Sequence, residues 1–144
     1  MLSLIRGAEY LLTNEYERSL LETKSGLSGD QVLDEVRIRV TTLGKDGVEI
    51  TGRGIERIHV PVVPDVLGED PTGVGDGFRA GFFSGLSWGV GLERAAQVGS
   101  LVAALVLETV GTQEYDIRPT EFTKRLAAAY GDEAAVEIAP HLPA

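Results

Sequence analysis

The sequence predicts an α/β fold in which a mixed sheet is covered by helices. Three observations carry this. A short apolar run is followed at once by a helical pattern near the start, three extended segments come next, and the last half of the chain is helical in periodicity. Residues 8–13 read Ala-Glu-Tyr-Leu-Leu-Thr, which suits a buried strand delivering Asn14 at its C-terminal end. From Glu15 to Lys24, Tyr16, Leu20 and Leu21 share one helical face, and Gly26 supplies a stop. Ser28-Gly-Asp30 caps a second short helix running to Val36. Extended segments are expected at Arg37 to Thr42, Gly47 to Thr51 and Arg57 to Val63. In the first of these, Val36, Ile38 and Val40 alternate against Arg37 and Arg39, which predicts both arginines on the solvent side. Gly44-Lys-Asp-Gly47 is the hairpin turn between the first two segments.

A loop from Pro64 to Gly75 leads into a helix from Asp76 to about Trp88 and a longer one from Leu92 to about Thr109. Pro119 fits the first position of a further helix that reaches Tyr130 and stops at Gly131, with Glu133 to Ile138 as another short element or a frayed tail. Gly81, Gly85 and Gly89 recur every four residues and mark a small face for close helix packing. No internal repeat or low-complexity linker interrupts the chain, so residues 1–144 read as one domain.

Composition narrows the function. The 144 residues are 43% hydrophobic and 24% charged, which is globular in balance and enough to bury a core. Thirteen Lys and Arg against 22 Asp and Glu give a net charge of −9, the wrong sign for non-specific binding to nucleic acid or an anionic membrane. Any phosphate must therefore be held locally. Zero Cys excludes disulfides and thiolate chemistry and is compatible with a cytoplasmic protein. His59 and His141 are too few for a histidine metal cluster. The run from Ala95 to Leu107 is shorter than the roughly 20 residues that span a bilayer, and no secretory signal opens the chain.

Asp70-Pro-Thr-Gly-Val-Gly-Asp76 is the most informative stretch. Two glycines in a loop, with a carboxylate on the first turn of the following helix, bring the unpaired amides of Gly73 to Gly77 and the helix dipole together as an anion hole. A dipole offers only about 0.3–1 kcal/mol at exposed sites, so positioned donors must supply most of the stabilisation. Asp76 is open to two readings. It is a base facing an acceptor hydroxyl, since a loose phosphoryl-transfer transition state keeps the hydroxyl proton until late, or it is an acidic residue favoured by the helix start. The spacing is neither the Rossmann fingerprint nor a Walker A loop. Arg79 either helps to neutralise phosphate or decorates the helix surface.

This loop, with its continuation Gly-Phe-Arg-Ala-Gly-Phe, resembles the second signature of the ribokinase-type (PfkB) carbohydrate and nucleoside kinases, Asp-Thr-x-Gly-Ala-Gly-Asp. Two further motifs agree in order. Asn14-Glu-Tyr-Glu17 is similar to that family's Asn-x-x-Glu, and Thr42-Leu-Gly-Lys-Asp-Gly47 to its Thr-x-Gly-x-x-Gly nucleotide loop. Read by themselves, Asn14 is also a helix cap, and Gly44 and Gly47 also suit an ordinary hairpin. Within the family, the details look most like adenosine kinases of the bacterial, actinobacterial type.

The resemblance implies the C-terminal portion of a ribokinase-like three-layer αβα fold that uses ATP and Mg²⁺. By it, Asp76 activates the 5′-hydroxyl of adenosine, and Gly73, Val74 and Gly75 hold the migrating phosphoryl. Thr42, Gly44 and Gly47 line the ATP site, Asn14 and Glu17 organise Mg²⁺ and phosphates through water, and Ser100 falls where relatives place an Asn near the adenine. Asp70, Thr72, Val106, Thr109 and Gly111 match positions that hold a monovalent cation such as K⁺, although Asp70 before Pro71 equally suits a turn. Val74 stands where the family usually has Ala. The family's N-terminal portion, with lid and sugar contacts, is not in this sequence, so a C-terminal fragment or truncated reading frame that is inactive alone is expected. A sugar kinase of the same family, and a non-catalytic remnant that binds nucleotide or a partner, are the alternatives. The expected partners are ATP and a small-molecule acceptor, with a homodimer left open.

Overall fold

A computed structural model describes residues 8–64, 74–108 and 118–142. Contacts divide the chain into two compact units, Met1–Val62 and Val63–Ala144.

In the first unit, β1 (Ala8–Asn14) runs directly into helix α1 (Glu15–Ser25), and α2 (Gly29–Glu35) runs directly into β2 (Val36–Thr42). A 3₁₀ turn at Gly44–Asp46 then leads to β3 (Val48–Gly52) and β4 (Ile58–Val60). The sheet order is β1-β2-β3-β4, with β1 and β2 parallel and the other pairs antiparallel. A parallel pair needs a crossover, and α1 and α2 provide it. Both helices start with reciprocal caps: Asn14 with Glu17, and Ser28 with Gln31. Gly26, at φ 73°, closes α1 in the left-handed region. Leu21, Val32 and Val36 form the buried apolar cluster of the crossover, flanked by Leu11 and Leu27.

Arg39 departs from the expected alternation. It is only 1% exposed, and its Nη1 donates to Glu22 Oε1 of α1 at 2.9 Å. Strand β2 is covered on both faces, as parallel strands usually are, so period-two reading cannot assign an outward side. The Nε and Nη2 of Arg39 have no acceptor among the described residues. Burial shifts the guanidinium pKa down, partly offset by its bond to Glu22.

The second unit is helical: α3 (Val74–Ser87), α4 (Leu92–Glu108), α5 (Pro119–Tyr130) and α6 (Asp132–Ile138), closed by a 3₁₀ turn at Ala139–His141. Helices α3 and α4 are antiparallel and unusually close. A Cβ on Gly81 would lie 2.7 Å from Gly99 Cα, and one on Gly85 would lie 2.8 Å from Ala95 Cα. The contact face is Gly77, Gly81 and Gly85. Gly89, expected on that face, instead sits in the turn after α3 at φ +84° with nothing near its missing Cβ. The four-residue stripe therefore begins one turn earlier than expected.

The core of this unit runs along α4 through Val98, Leu101, Val102 and Ala104. It meets Phe122 and Leu126 of α5 and Ala134 and Ile138 of α6, with Val63 alongside. Burying each large side chain contributes roughly 1.5–3 kcal/mol. Gly131 ends α5 at φ 103° and α6 follows at once, so the tail is an ordered helix that delivers His141 onto Trp88, their rings stacked 5.3 Å apart.

Candidate functional site

In the first unit, the predicted residues gather at the carboxyl ends of the parallel strands. Asn14 and Thr42 are register partners there. Asn14 Oδ1 accepts from the Glu17 amide at 2.7 Å, and Glu17 Oε1 accepts from the Asn14 amide at 2.9 Å. The Asn-x-x-Glu spacing thus makes a capping box, and both residues remain exposed. Beside them, Leu43 N donates to Gly47 O at 2.8 Å and Gly47 N to Gly44 O at 3.1 Å. This closes the Thr42 to Gly47 loop as the expected hairpin connection between the antiparallel strands β2 and β3, with Gly44–Asp46 in 3₁₀ form. Gly44 and Gly47 both have positive φ, 59° and 91°. His59 Nε2 bonds the Asp46 carbonyl at 2.7 Å and braces the loop, so this histidine has a structural partner.

In the second unit, α3 begins at Val74, which places Gly75 and Asp76 in its first turn. The first amides of an α-helix have no intrahelical acceptor, and among the described residues no loop carbonyl takes those of Val74, Gly75 and Asp76. The Asp76 carboxylate points to solvent, 89% exposed, with Arg79 Nη1 3.8 Å from its Oδ1. Arg79 therefore pairs with Asp76 on one face of the helix. At that distance and exposure the pair is worth about 0–1 kcal/mol and leaves the carboxylate free to turn toward another partner.

Val106 lies against this turn: its Cγ2 would be 2.9 Å from a Cβ on Gly77. Of the suggested cation ligands, Val106 is thus beside the start of α3, whereas Asp70, Thr72, Thr109 and Gly111 lie outside the described residues. Gly73 of the anion hole does so too. Ser100 is elsewhere on α4, hydrogen-bonded to the Tyr130 phenol. Burial pushes that phenol up to about 12, with the Ser100 bond acting the other way.

Sequence reasoning missed the packing role of Gly77 against Val106 and the reach of Tyr130 to Ser100. Extending the glycine stripe by one turn would have found the first. Nothing local marks the second, which reaches Ser100 from α5. Among the described residues no group of three or more His, Asp or Glu gathers to hold a metal ion. An exposed Glu17 suits a hydrated Mg²⁺ met through water, which is how that ion commonly binds beside phosphates. No helix of the described residues is long and apolar enough to cross a membrane.

The profile of the pfkB family of carbohydrate kinases matches residues 1–120. A nucleoside kinase of Methanocaldococcus jannaschii is 30% identical over 113 residues, covering 78% of this chain and 37% of that protein. An inositol 3-kinase of Oryza sativa is 34% identical over 87 residues, covering 60% of this chain and 21% of that protein. Among solved structures, the Burkholderia thailandensis nucleoside kinase in complex with ADP-inosine superposes with a TM-score of 0.80 at 32% identity, covering 90% of this chain and 43% of that one. An adenosine kinase from Sinorhizobium meliloti is less similar, with a TM-score of 0.63 at 28% identity over 76% of this chain and 34% of that one. The chain spans less than half the length of each. With the family profile covering most of the sequence and the fold shared with nucleoside kinases, the chain belongs to the pfkB family and has its ribokinase-like α/β fold.

Proposed function

We propose that this chain supplies the nucleotide loop and the catalytic base of a kinase that moves the γ-phosphoryl of ATP to the 5′-hydroxyl of a nucleoside, adenosine giving AMP and ADP. One observation carries the reading: an exposed carboxylate, Asp76, stands on the first turn of α3 beside the amides of Val74 and Gly75. Those amides, with Gly73, stabilise charge on the migrating phosphoryl, and Asp76 takes the hydroxyl proton late in the transfer.

Thr42, Gly44 and Gly47 hold the nucleotide, and Ser100 is the candidate contact for its adenine. Mg²⁺, when bound with ATP, neutralises phosphate charge, with Asn14 and Glu17 orienting its water shell. Asp70, Thr72, Val106, Thr109 and Gly111 are the candidate ligands of a monovalent cation. The nucleoside class is supported by the similarity to nucleoside kinases, one of them holding inosine. Adenosine in particular rests on the sequence around Asp76.

The portion that relatives possess beyond the match would complete the acceptor site, so the 144-residue chain alone is expected not to turn over. Turnover of the isolated chain with ATP, Mg²⁺ and adenosine would refute that. In a polypeptide carrying both portions, Asp76→Asn is expected to keep ATP binding and lower turnover by about 10²-fold or more. An unchanged rate overturns the base assignment. A preference for ribose or inositol over adenosine and inosine overturns the acceptor assignment.

A further inference from the structure

Resting on the role given to Asp76, we propose that Arg125 and Glu108 are a positioning pair that sets the first turn of α3 through the last turn of α4. Glu108 is the final residue of α4, where the helix presents its carbonyls and partial negative charge. A carboxylate there is repelled, and α4 has no basic residue in its last turn to offset it.

Arg125, from the middle of α5, supplies the missing cation. Its Nη1 and Nη2 donate to the two carboxylate oxygens of Glu108, each at 2.7 Å. Such two-point contact fixes orientation as well as distance. The pair is only partly exposed, and hydrogen bonding to Glu108 raises the Arg125 pKa above its ordinary value despite some burial.

Two residues before Glu108, Val106 fills the space that a side chain on Gly77 would take. Gly77 follows Asp76 directly. The last turn of α4 is therefore the surface on which the catalytic turn of α3 rests, and Arg125 holds that surface in helical form. Without it, Glu108 would fray the turn and Val106 would lose its seat. A second interhelical pair in the same unit, Arg94 with Glu137 at 2.8 Å, ties the opposite end of α4 to α6 and serves as a control.

The test is residue-resolved NMR on the full chain, which needs no turnover and so fails separately from the kinase reading. Arg125→Met is expected to speed amide exchange at Val106 to Glu108 about tenfold or more. It is also expected to move the amide resonances of Gly75, Asp76 and Gly77, with Arg94→Met leaving all of these in place. Arg125→Lys keeps the charge but loses the fork, and is expected to produce a smaller shift at the same residues. Unmoved Gly75 to Gly77 resonances in Arg125→Met overturn the proposal, as does an equal effect from Arg94→Met, which would mark general loosening. If Arg125→Met does not fold, Arg125→Lys decides: no shift at Gly75 to Gly77 overturns it.

Discussion

Asn14 and Thr42 are register partners, ending β1 and β2 side by side at the carboxyl edge of the parallel pair. Ligands of open α/β sheets are commonly held outside that edge, because helix starts and loops meet there. In this chain the helix start is capped by Asn14 and the loop is opened by Thr42, so two motifs 28 positions apart in sequence become neighbours by strand pairing alone.

The capping role and the proposed phosphate role of Asn14 can be separated. Asn14→Ala removes the acceptor for the Glu17 amide and is expected to cost about 1 kcal/mol of stability. Asn14→Asp keeps the acceptor and is expected to melt like the wild type. The added negative charge beside bound phosphates should nevertheless weaken Mg²⁺-ATP binding several-fold. Thermal melts and calorimetric titration check the two effects independently, and Asn14→Asp binding like wild type would leave Asn14 a cap alone.

Gly44 and Gly47 look alike in sequence but are held differently. Gly44, at φ +59°, has open space where a Cβ would go, whereas a Cβ on Gly47 at φ +91° would meet the Val60 carbonyl oxygen at 2.2 Å. Gly44→Ala therefore carries only the left-handed penalty of about 1–2 kcal/mol. Gly47→Ala adds a backbone collision that parts β3 from the chain leaving β4, with an expected loss of about 3 kcal/mol or more. Urea midpoints of the two variants check the order, and equal losses would refute the collision.

How much was legible in the sequence depended on how local each signal was. The end of β1 at Asn14, the caps at Asn14 and Ser28, and the span from Pro119 to Gly131 were readable because cap and stop residues act on their own helix ends. Burial of Arg39 was hidden because its partner, Glu22, lies on a helix that crosses over the strand. The glycine stripe was read one turn late because Gly89 continues the spacing but stops the helix at positive φ. At the candidate site the helical position of Asp76 was evident, whereas the Val106 to Gly77 contact and the Ser100 to Tyr130 bond arise only from tertiary packing.

Arg39 and Glu22 give an expectation of opposite signs for single and paired changes. Glu22→Ala strands a buried guanidinium that already has two unsatisfied donor nitrogens, and is expected to destabilise by about 3 kcal/mol. Replacing both partners, as Arg39→Met with Glu22→Leu, removes the buried charge together with its attraction. That double variant is expected to lie within about 1 kcal/mol of wild type. Denaturant unfolding of wild type, Glu22→Ala and the double variant checks the order, and a double variant as unstable as Glu22→Ala would refute it.

Tyr130 sets an alkaline limit on the helical unit. Its phenol titrates at about 12 when folded, raised chiefly by burial, against an ordinary value of 10.0. The unfolded chain therefore gives up this proton first. Below about pH 10 both states are protonated and the contribution is complete. Between about pH 10 and 12 the unfolded state binds fewer protons than the folded one, so stability falls as pH rises. Tyr130→Phe lacks this proton and also loses the bond to Ser100. It is expected to be less stable by about 0.5–1.5 kcal/mol near neutral pH and to lose less than wild type over the alkaline interval. Urea midpoints of the two proteins, followed from pH 8 to 11.5, should therefore converge as pH rises, and parallel curves would show that burial of Tyr130 does not favour its neutral form.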